Sequence, residues 1–390
     1  MIAQTEDYQG ARARVVQDLR IAIRRGSLAL GRPLPSERSM SEQFGVSRGT
    51  LRSALLELEK EGLLRVSRVN RRRIVGDEPS KDDLLMSKTV ALLSLVERDP
   101  DRNSGAGWSS QVDIGVSDAV NDSGLHLLRV NPALLTEAVL RKWLAEPPYG
   151  IVVSDDVPRS PTRADCIAHF AQAKVPVVIY GEGPVGVDVD RVVPDHDAGA
   201  YALVQWLWQQ GRQRIVRMWS DANRDLYWLK DRNAGYNRAL AELGGTVLPA
   251  LYLMDVTMEA PGDHAKDMEV RTRLRLGYLA PLLRTVGLID AIMVENDANV
   301  APVNGVLRLM GLEPGRDVLV VGYDNFWSQH WSQAFDSVGP AATVDKRNRD
   351  AGQELVRLLL DRVQGRLPAQ AQVRRISPEL IILNKPAPSA

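Results

Sequence analysis

The alternation of short apolar runs with amphipathic stretches between residues 89 and 323 is the feature that most constrains the fold. Each apolar run has the length of a strand, and the stretches between them carry apolar residues at helical spacing. Buried strands that alternate with helices form parallel sheets covered on both faces, so we expect an α/β fold. The predicted strands are residues 89–96, 125–130, 150–153, 175–180, 214–219, 246–252, 291–294 and 318–323. The predicted helices are residues 108–121, 134–144, 166–173, 198–209, 232–243, 271–285 and 300–310.

The alternation falls into two series, because the chain crosses over after residue 180. Two series of this kind predict two similar lobes with a cleft between them. In open parallel sheets, ligands bind at the carboxyl ends of the strands. The cleft is therefore the expected binding site.

Cap residues near the N-terminus predict two short helices joined by a tight turn. Ser36 and Ser47 are each suited to begin a helix, and Gly45 suits the left-handed residue that ends the first one. The second helix has a buried stripe at spacing i, i+3, i+4 and i+7, made of Leu51, Ala54, Leu55 and Leu58.

With that stripe turned inward, Arg48, Thr50 and Arg52 are expected to point outward from the first turns of the second helix. Such a basic start is typical of the recognition helix of a helix-turn-helix, which lies in the major groove of DNA. The alternative is a capped helical hairpin with a solvated basic face. A helical stripe upstream and a predicted hairpin downstream, with strands at residues 63–67 and 71–75, favour DNA binding.

These residues resemble the winged-helix domain of GntR-family bacterial transcription factors over about the first 75 residues. The matching segments are residues 34–38 (LPSER), 44–48 (FGVSR), 50–52 (TLR) and 58–64 (LEKEGLL). The resemblance implies contacts to DNA from the recognition helix, its surroundings and the wing. The expected interface residues are Arg38, Ser47, Arg48, Thr50, Arg52, Arg68 and Arg71. The wing departs from the family, which usually carries glycines and a threonine where this chain has VNRRR at residues 69–73.

The charge distribution agrees with a DNA-binding module at the N-terminus. Residues 1–75 carry 15 Lys and Arg against 8 Asp and Glu, whereas the rest of the chain carries 34 against 41. The overall net charge of zero therefore conceals a basic module and an acidic remainder. Because phosphate repels the acidic remainder, we expect DNA to contact the N-terminal module alone.

The larger part of the chain resembles the effector-binding domain of LacI/GalR repressors, which is akin to periplasmic sugar-binding proteins. The match spans about residues 88–384 and is strongest from 187 to 355. It is carried by residues 193–200 (VPDHDAGA), 211–215 (GRQRI), 232–236 (RNAGY), 294–298 (VENDA), 311–318 (GLEPGRDV) and 321–325 (VGYDN). The resemblance implies a hinged, two-lobed, doubly wound periplasmic-binding-protein-like domain that dimerises and closes on a small molecule, often a sugar or nucleobase. A GntR-type head on such a body is the architecture of arabinose-repressor-like regulators.

Several residues make chemical sense as effector contacts. Arg232 opens a predicted helix, where its planar guanidinium can hold two hydroxyls or one carboxylate. Asn296, Asp297 and Asp324 each follow an apolar strand and together suit a polyhydroxyl compound, or they cap helices and turns. The resemblance places Arg232, Asn296 and Asp324 at ligand-contacting positions. Lys346 stands where several sugar-binding members carry glutamine, so it either neutralises an acidic ligand such as a uronate or phosphosugar, or pairs with Asp324.

Further residues are expected near the cleft. The resemblance implies cleft-lining positions for Trp108 and Asp195. Trp228 and Trp327 lie in predicted loops, where an aromatic ring either stacks on a sugar or packs in the core.

We predict a winged-helix DNA-binding domain at residues 1–75, a linker at 76–88, and an effector-binding and dimerisation domain at 89–390. A single cysteine, Cys166, excludes a disulfide framework, and the five histidines lack paired spacing, so we expect neither a metal nor a cofactor. We expect no secretory signal, because the first seven residues have neither a basic nor an apolar region, and no apolar run approaches the roughly 18 residues that cross a bilayer. We therefore expect a cytoplasmic protein without a membrane partner.

These expectations combine into a ligand-responsive, homodimeric repressor that binds double-stranded operator DNA and is released by a small-molecule effector, with a carbohydrate favoured. One alternative is a transcription regulator whose cleft is degenerate and binds no ligand. The other is an enzyme that uses Asp297 and Asp324 as an acid–base pair, although the chain has no P-loop, nucleophile elbow or Gly-rich dinucleotide turn. We expect no catalytic residue.

Overall fold

The computed structural model describes residues 2–24, 27–28, 32–66, 73–75, 85–94, 106–132, 135–154, 161–183, 185–254, 263–285 and 289–383. At some of these positions, Trp108 among them, only the backbone is described. The chain divides into two compact units, Met1–Lys88 and Thr89–Ala390.

The described part of the first unit is built from helices and a hairpin. They are α1 (Ile2–Arg24), α2 (Glu37–Phe44), α3 (Arg48–Lys60), β1 (Leu64–Val66) and β2 (Arg73–Val75), with the two strands antiparallel. The predicted caps are confirmed. The side chain of Ser36 accepts a hydrogen bond from Ser39 N, that of Ser47 accepts one from Thr50 N, and Gly45 adopts a left-handed φ of 62°.

The core of the first unit confirms the predicted apolar stripes. Leu51, Leu55 and Leu58 are completely buried, and each contributes roughly 1.5–3 kcal/mol of hydrophobic stabilisation. They pack in one cluster with the buried stripe of α1, which consists of Val15, Val16, Leu19 and Ile23. The predicted tip of the wing and most of the predicted linker, residues 67–72 and 76–84, lie outside the described residues.

The second unit has the predicted mixture of strands and helices. Its strands are β3 (Thr89–Leu93), β4 (His126–Val130), β5 (Gly150–Val153), β6 (Val177–Tyr180), β7 (Asp190–Pro194), β8 (Ile215–Ser220), β9 (Leu251–Leu253), β10 (Ala291–Val294), β11 (Leu319–Tyr323), β12 (Ala342–Asp345), β13 (Val373–Ile376) and β14 (Glu379–Ile382). Its helices are α4 (Ala106–Asp122), α5 (Glu137–Ala145), α6 (Pro161–Gln172), α7 (His196–Gln209), α8 (Tyr227–Leu243), α9 (His264–Thr285), α10 (Val300–Leu309) and α11 (Asn348–Val363).

The strands form two sheets of six, which define two lobes. The strand order is β13-β7-β6-β5-β3-β4 in the first lobe and β14-β12-β11-β10-β8-β9 in the second. Neighbouring strands are parallel, except that β14 runs antiparallel to β12 at the edge of the second sheet. The predicted two-lobed α/β fold is confirmed, whereas β7, β12, β13, β14 and α11 lie outside the predicted elements.

The chain passes between the lobes three times. β7 leads into α7, which packs on α8 of the second lobe, and β12 leads into α11, which packs on α4 of the first lobe. The third passage joins β13 to β14. Because the first two passages leave from carboxyl ends of parallel strands, the carboxyl edges of both sheets face the cleft.

Three predicted helix starts were too late. The helices expected from residues 166 and 271 begin at Pro161 and His264. The helix expected to open at Arg232 begins at Tyr227, so Arg232 lies in the second turn of α8. The spacing of apolar residues did not reveal the first turn of α8. The residues before Tyr227 are mostly polar or charged and show no helical period.

Candidate functional site

The start of α3 is the first candidate site. A tight turn presents it, since Val46 N donates to the carbonyl of Ser41 (3.1 Å) and the Ser41 hydroxyl donates to the carbonyl of Val46 (2.7 Å). Arg48 and Arg52 are exposed on the first turns of α3. Between them, a Cβ added to Gly49 would meet only Ser47 Oγ, at 3.7 Å, so the outer face of this turn is open. This surface is shaped for close approach to another molecule.

The outward orientation predicted for Thr50 was wrong. Its side chain is only 4% exposed, and its hydroxyl lies 2.8 Å from Ser47 Oγ. Thr50 therefore supports the helix cap from inside, and its backbone N–H also donates to Ser47 Oγ (3.1 Å). The residue three positions after an N-cap serine commonly takes part in capping, and this signal could have placed Thr50 correctly.

A carboxylate that sequence reasoning missed orients Arg52. Glu37, the first residue of α2, accepts from Arg52 Nε (2.7 Å) and from Arg73 Nη1 of β2 (2.6 Å). Arg73 also donates to Glu59 of α3. The hydrogen bond from Arg52 is the largest cause that lowers the pKa of Glu37 from its usual value, and Arg73 adds to it. The recognition helix, α2 and the wing strand are thus joined through Glu37.

The other predicted DNA contacts have different surroundings. Arg38 is exposed and pairs with Glu42 one helical turn on (3.2 Å), an arrangement that contributes little to stability. Ser47 is exposed and serves as the N-cap of α3. Arg68 and Arg71 lie outside the described residues.

The second candidate site lies at the carboxyl edge of the second-lobe sheet. Residues that directly follow β10, β11 and β12 meet there with residues from the first turns of α7 and α8. Its polar and aromatic members are His196, Trp228, Arg232, Glu295, Asn296, Asp324 and Lys346. The site is therefore built from several elements that are distant in the sequence.

Arg232 occupies the middle of this site. Its side chain is 3% exposed, and Nη1 donates to the carbonyl oxygen of Glu295 (2.7 Å). The guanidinium carbon lies 3.7 Å from the ring centre of Tyr323 and 4.6 Å from that of Trp228. These contacts fix the plane of the guanidinium, while its buried Nε has no hydrogen-bond partner among the described residues.

Glu295 is a positioning residue that sequence reasoning did not assign. Its carboxylate accepts from Ser220 N (2.7 Å) and from Asn223 Nδ2 (2.6 Å), which ties the end of β10 to the loop after β8. The same residue holds Arg232 through its carbonyl. An acidic residue directly after an apolar strand was the available signal.

Lys346 and Asp324 form a buried ion pair, with 2.7 Å between Nζ and Oδ1. Of the two roles left open for Lys346, pairing with Asp324 is the one observed. The backbone here is unusual, because Asp324, Asn325 and Arg347 all have positive φ, at 83°, 49° and 54°. Non-glycine residues in this conformation concentrate at functional sites. The strain supports the assignment of this edge as the binding site.

His196 belongs to the same site and was missed from the sequence. It is 4% exposed, its ring lies 6.3 Å from that of Trp228, and its Nδ1 has no hydrogen-bond partner in the described structure. Burial holds the pKa of His196 well below its usual value, and the cations Arg232, Lys346 and Arg375 lower it further. His196 is therefore neutral at pH 7.

Two predicted contacts already have partners within the protein. Asp195 Oδ1 accepts from Ala198 N (2.9 Å) and caps α7, whereas Asn296 Oδ1 accepts from the side chain of Asn299 (Nδ2, 3.0 Å) and caps no helix. Both side chains are half-buried at the carboxyl edge of a sheet. Trp108 lies in the first turn of α4, and its side chain is outside the described part.

Of the two roles left open for Asp297, a structural one inside the lobe is observed. It is 0% exposed, and its carboxylate accepts from Thr343 Oγ1 (2.8 Å), Phe326 N (3.0 Å) and Trp327 N (3.2 Å). These bonds use the carboxylate to hold two loops together inside the lobe. Trp327 is likewise a packing residue, since it is 7% exposed within the second-lobe core, whereas half-buried Trp228 remains beside Arg232.

The first lobe offers a polar cluster that sequence reasoning also missed. Ser94 and Ser154 directly follow the neighbouring strands β3 and β5 and are buried. Ser94 Oγ donates to Asp113 Oδ2 (2.6 Å), and Arg129 lies 2.8 Å from the same oxygen. Asp113 Oδ1 and Ser154 Oγ are buried without a hydrogen-bond partner in the described structure. This cluster lies at the carboxyl edge of the first-lobe sheet.

The described ranges contain no group of three or more His, Cys, Asp or Glu residues that could hold a metal ion. None of the helices in those ranges is both long enough and apolar enough to cross a membrane.

The chain thus combines a winged helix-turn-helix unit with a two-lobed unit that has polar residues at the carboxyl edges of its sheets. Each part matches a known family of bacterial regulatory or binding proteins. Residues 11–74 match the family "Bacterial regulatory proteins, gntR family", and residues 204–382 match the family "Periplasmic binding protein-like domain". The chain therefore carries a GntR-type helix-turn-helix domain at its N-terminus and a periplasmic-binding-protein-like domain after it, and the two resemblances seen in the sequence are confirmed.

Three individual regulators are similar to parts of the chain. The HTH-type transcriptional regulator CelR of Thermobifida fusca is 30% identical over 197 residues, which cover 50% of this chain and 52% of CelR. The HTH-type transcriptional repressor PurR of Vibrio campbellii is 23% identical over 54% of this chain and 57% of PurR. The HTH-type transcriptional repressor NagR of Bacillus subtilis is 50% identical over 50 residues, 13% of this chain and 21% of NagR. The chain thus spans little more than half the length of the first two relatives.

Solved structures show the same fold. A LacI family transcriptional regulator from Enterococcus faecium with bound ribose has a TM-score of 0.55 at 16% identity, over 77% of this chain and 99% of that protein. A complex of the transcriptional regulator CelR with cellobiose has a TM-score of 0.54 at 20% identity, over 90% of this chain and 99% of that protein.

Proposed function

We propose that the protein is a ligand-responsive transcriptional repressor. Its first unit would bind double-stranded operator DNA, and its second unit would bind a small polyhydroxyl effector, a sugar or sugar derivative, in the cleft between the lobes. The observation that carries the proposal is the combination, in one chain, of a recognition helix with exposed arginines and a cleft with buried, unpartnered polar atoms. The names of the relatives and their complexes with ribose and cellobiose support it.

In the DNA complex, the first turns of α3 would enter the major groove. Arg48 and Arg52 would contact base edges, and Arg38 would contact phosphate. The wing, with Arg68 and Arg71, would add phosphate contacts and salt dependence. Ser47 and Thr50 would contribute through the cap that shapes the helix start.

In the effector complex, Arg232 and Asp324 would hold the ligand from the second lobe. Asn296 and Asp195 would add hydrogen bonds, and Trp228 would pack against the sugar ring. The polar cluster around Asp113 would complete the contacts from the first lobe. We assign no reaction to the cleft, because Asp297, the second carboxylate that such a reaction would need, is used internally.

The two sites would be linked through conformation. We infer a cytoplasmic homodimer with two states, of which one binds operator DNA better and the other binds the effector better. A coupling of roughly 1–3 kcal/mol would weaken DNA binding about 5–150-fold when the effector is bound.

DNA selection followed by affinity measurement tests the proposal. The full-length chain is used to select an operator from random double-stranded DNA, and binding to the operator and to random DNA is measured by fluorescence anisotropy. Arg48→Ala and Arg52→Ala should each cost about 1–3 kcal/mol on the operator and much less on random DNA.

Arg12→Ala is the matched control, because it removes the same charge from α1, where Arg12 pairs with Glu57 (3.4 Å). If no sequence is selected, or if the three variants weaken binding equally on both DNAs, the proposed recognition helix is wrong.

A further inference from the structure

We propose that Arg73, at the root of the wing, makes Arg52 a reader of guanine by holding the Glu37 carboxylate against it. This inference rests on the proposed function, because it assigns a base and a positioning residue to the same recognition helix. Arg73 touches no base in this arrangement. It acts through Glu37, which lies between the two arginines.

Four side chains of alternating charge connect the recognition helix to the wing. Arg52 Nε donates to one oxygen of Glu37 (2.7 Å), and Arg73 Nη1 donates to the other (2.6 Å). Arg73 Nε donates in turn to Glu59 of α3. Because both oxygens of Glu37 are engaged in charge-assisted hydrogen bonds, the plane of this carboxylate is fixed. The orientation of the Arg52 guanidinium therefore depends on Arg73.

Arg73 is itself firmly held. Its backbone lies opposite Val66 of β1, and on the other side its carbonyl accepts from Leu34 N (2.8 Å), just before α2. Its side chain is 21% exposed, whereas that of Arg52 is 64% exposed. Arg73 is thus the fixed support of the network, and Arg52 is its solvent-facing end.

The bond to Glu37 leaves Arg52 with its two terminal amino groups. Neither Nη1 nor Nη2 has a hydrogen-bond partner among the described residues. Guanine presents two adjacent acceptors in the major groove, O6 and N7, which match two parallel donors. Adenine presents N7 beside a donor, the N6 amino group, so one amino group of Arg52 would meet another donor there. A guanidinium that is oriented before DNA arrives also loses less freedom on binding.

Arg48 provides the contrast within the same helix. It lies one turn before Arg52, is exposed, and has no ion pair or hydrogen bond in the described part of the chain. Its guanidinium can therefore turn toward a base or a phosphate alike. Arg73 should affect the base that Arg52 reads and not the base that Arg48 reads.

Operator variants with one base pair replaced at a time test this inference on the full chain, by fluorescence anisotropy. The position where Arg52→Ala removes the preference between bases is the one that Arg52 reads. We expect guanine there, preferred over adenine about 5–150-fold by the wild type.

Arg73→Gln should reduce that preference about three- to tenfold, as the loss of one hydrogen bond would. The preference at the position that Arg48→Ala identifies should be unchanged. The charge lost with Arg73 weakens binding to every duplex alike, so it cancels in the ratio.

Arg20→Gln is the matched control, because Arg20 forms a similarly half-buried pair with Glu61 (2.7 Å) at the far end of α3. It should leave every base preference unchanged. If Arg73→Gln no longer binds random DNA because the first unit is unfolded, Arg73→Lys takes its place. Lysine keeps the charge but has one donor nitrogen for two carboxylates, so the same position should again lose its preference.

The possible outcomes separate the inference from the function on which it rests. A selected operator with no position that depends on Arg52, or with a base other than guanine there, would overturn the inference and leave the proposed repressor intact. An unchanged preference in the Arg73 variant would do the same, as would an equal loss at the Arg48 position or in Arg20→Gln. Failure of the wild-type chain to select any operator would instead overturn the proposed function.

Discussion

Substitution of Asp297 tests most directly how a buried carboxylate affects the stability of the second unit. Asp297 follows β10, is completely buried, and accepts hydrogen bonds from Thr343 Oγ1, Phe326 N and Trp327 N. Burial is the largest cause that raises the pKa of Asp297 to about 7, and the nearby Asp324 carboxylate raises it as well. The three hydrogen bonds act in the opposite direction but do not cancel the effect of burial.

An acid whose pKa is raised by folding stabilises the folded state most at low pH. Between the ordinary pKa of 3.8 and the folded pKa of about 7, the folded state binds the proton more strongly than the unfolded state does. The free energy of unfolding contributed by this group therefore falls as pH rises through that window and is constant above it. A shift of about three units corresponds to roughly 4 kcal/mol.

Two substitutions separate the charge from the hydrogen bonds. In Asp297→Asn, the amide oxygen can still accept from Phe326 N and Trp327 N, and the amide nitrogen can donate to Thr343 Oγ1. We expect this variant to lose the pH dependence of stability. At pH 8, its free energy of unfolding should equal that of the wild type or exceed it by up to about 4 kcal/mol. Asp297→Ala leaves three buried donors without a partner and should cost about 3–6 kcal/mol at pH 5. The cost should be smaller at pH 8, where the wild type has already lost stability by ionising Asp297.

Urea unfolding at pH 5 and pH 8, followed by tryptophan fluorescence, measures these differences. All eight tryptophans lie between residues 108 and 331, so the signal reports the second unit and not the DNA-binding unit. If Asp297→Asn is as unstable as Asp297→Ala at pH 8, the folded protein requires the ionised carboxylate, and the raised pKa is refuted.

Three further predictions concern the two candidate sites and the packing of α7 against α8. Arg232→Ala should hold operator DNA near wild-type affinity but no longer release it with effector, in an anisotropy release assay; normal release would move the effector site elsewhere. Glu37→Gln should lower the free energy of unfolding by about 1–2 kcal/mol, because it weakens the exposed pair with Arg52 and also the half-buried pair with Arg73. The same variant should lower the ratio of operator to random-DNA affinity several-fold, and an unchanged ratio would deny Glu37 a role in orienting Arg52. Gly235→Ala would place a Cβ 2.1 Å from the Asp197 carbonyl oxygen, so thermal unfolding should show a loss of about 1–3 kcal/mol; a neutral result would mean that α7 and α8 separate easily.

Local features of this protein followed from the sequence alone. The caps Ser36 and Ser47 and the left-handed Gly45 were predictable, since each acts on backbone groups within a few residues of itself. The two-lobed α/β fold was predictable for a similar reason, because the spacing of apolar residues that marks a strand or a helix is visible within a short stretch of sequence. The exposure of Arg48 and Arg52 was also predictable, because the apolar stripe on the same helix had to face the core.

Pairings between distant elements were decided only by the tertiary structure. Whether Lys346 meets a ligand or Asp324, 22 positions earlier, depends on how β11 and β12 end side by side. Asp297 and Asp324 both follow apolar strands, yet the loop after β11 covers one carboxylate and leaves the other at the cleft. The contact between Glu37 and Arg52 likewise exists only because α2 and α3 cross. A sequence pattern shows which side chains leave an element on one face, but hydrogen bonds and charge pairs depend on distances of a few ångströms between elements, and packing sets those distances.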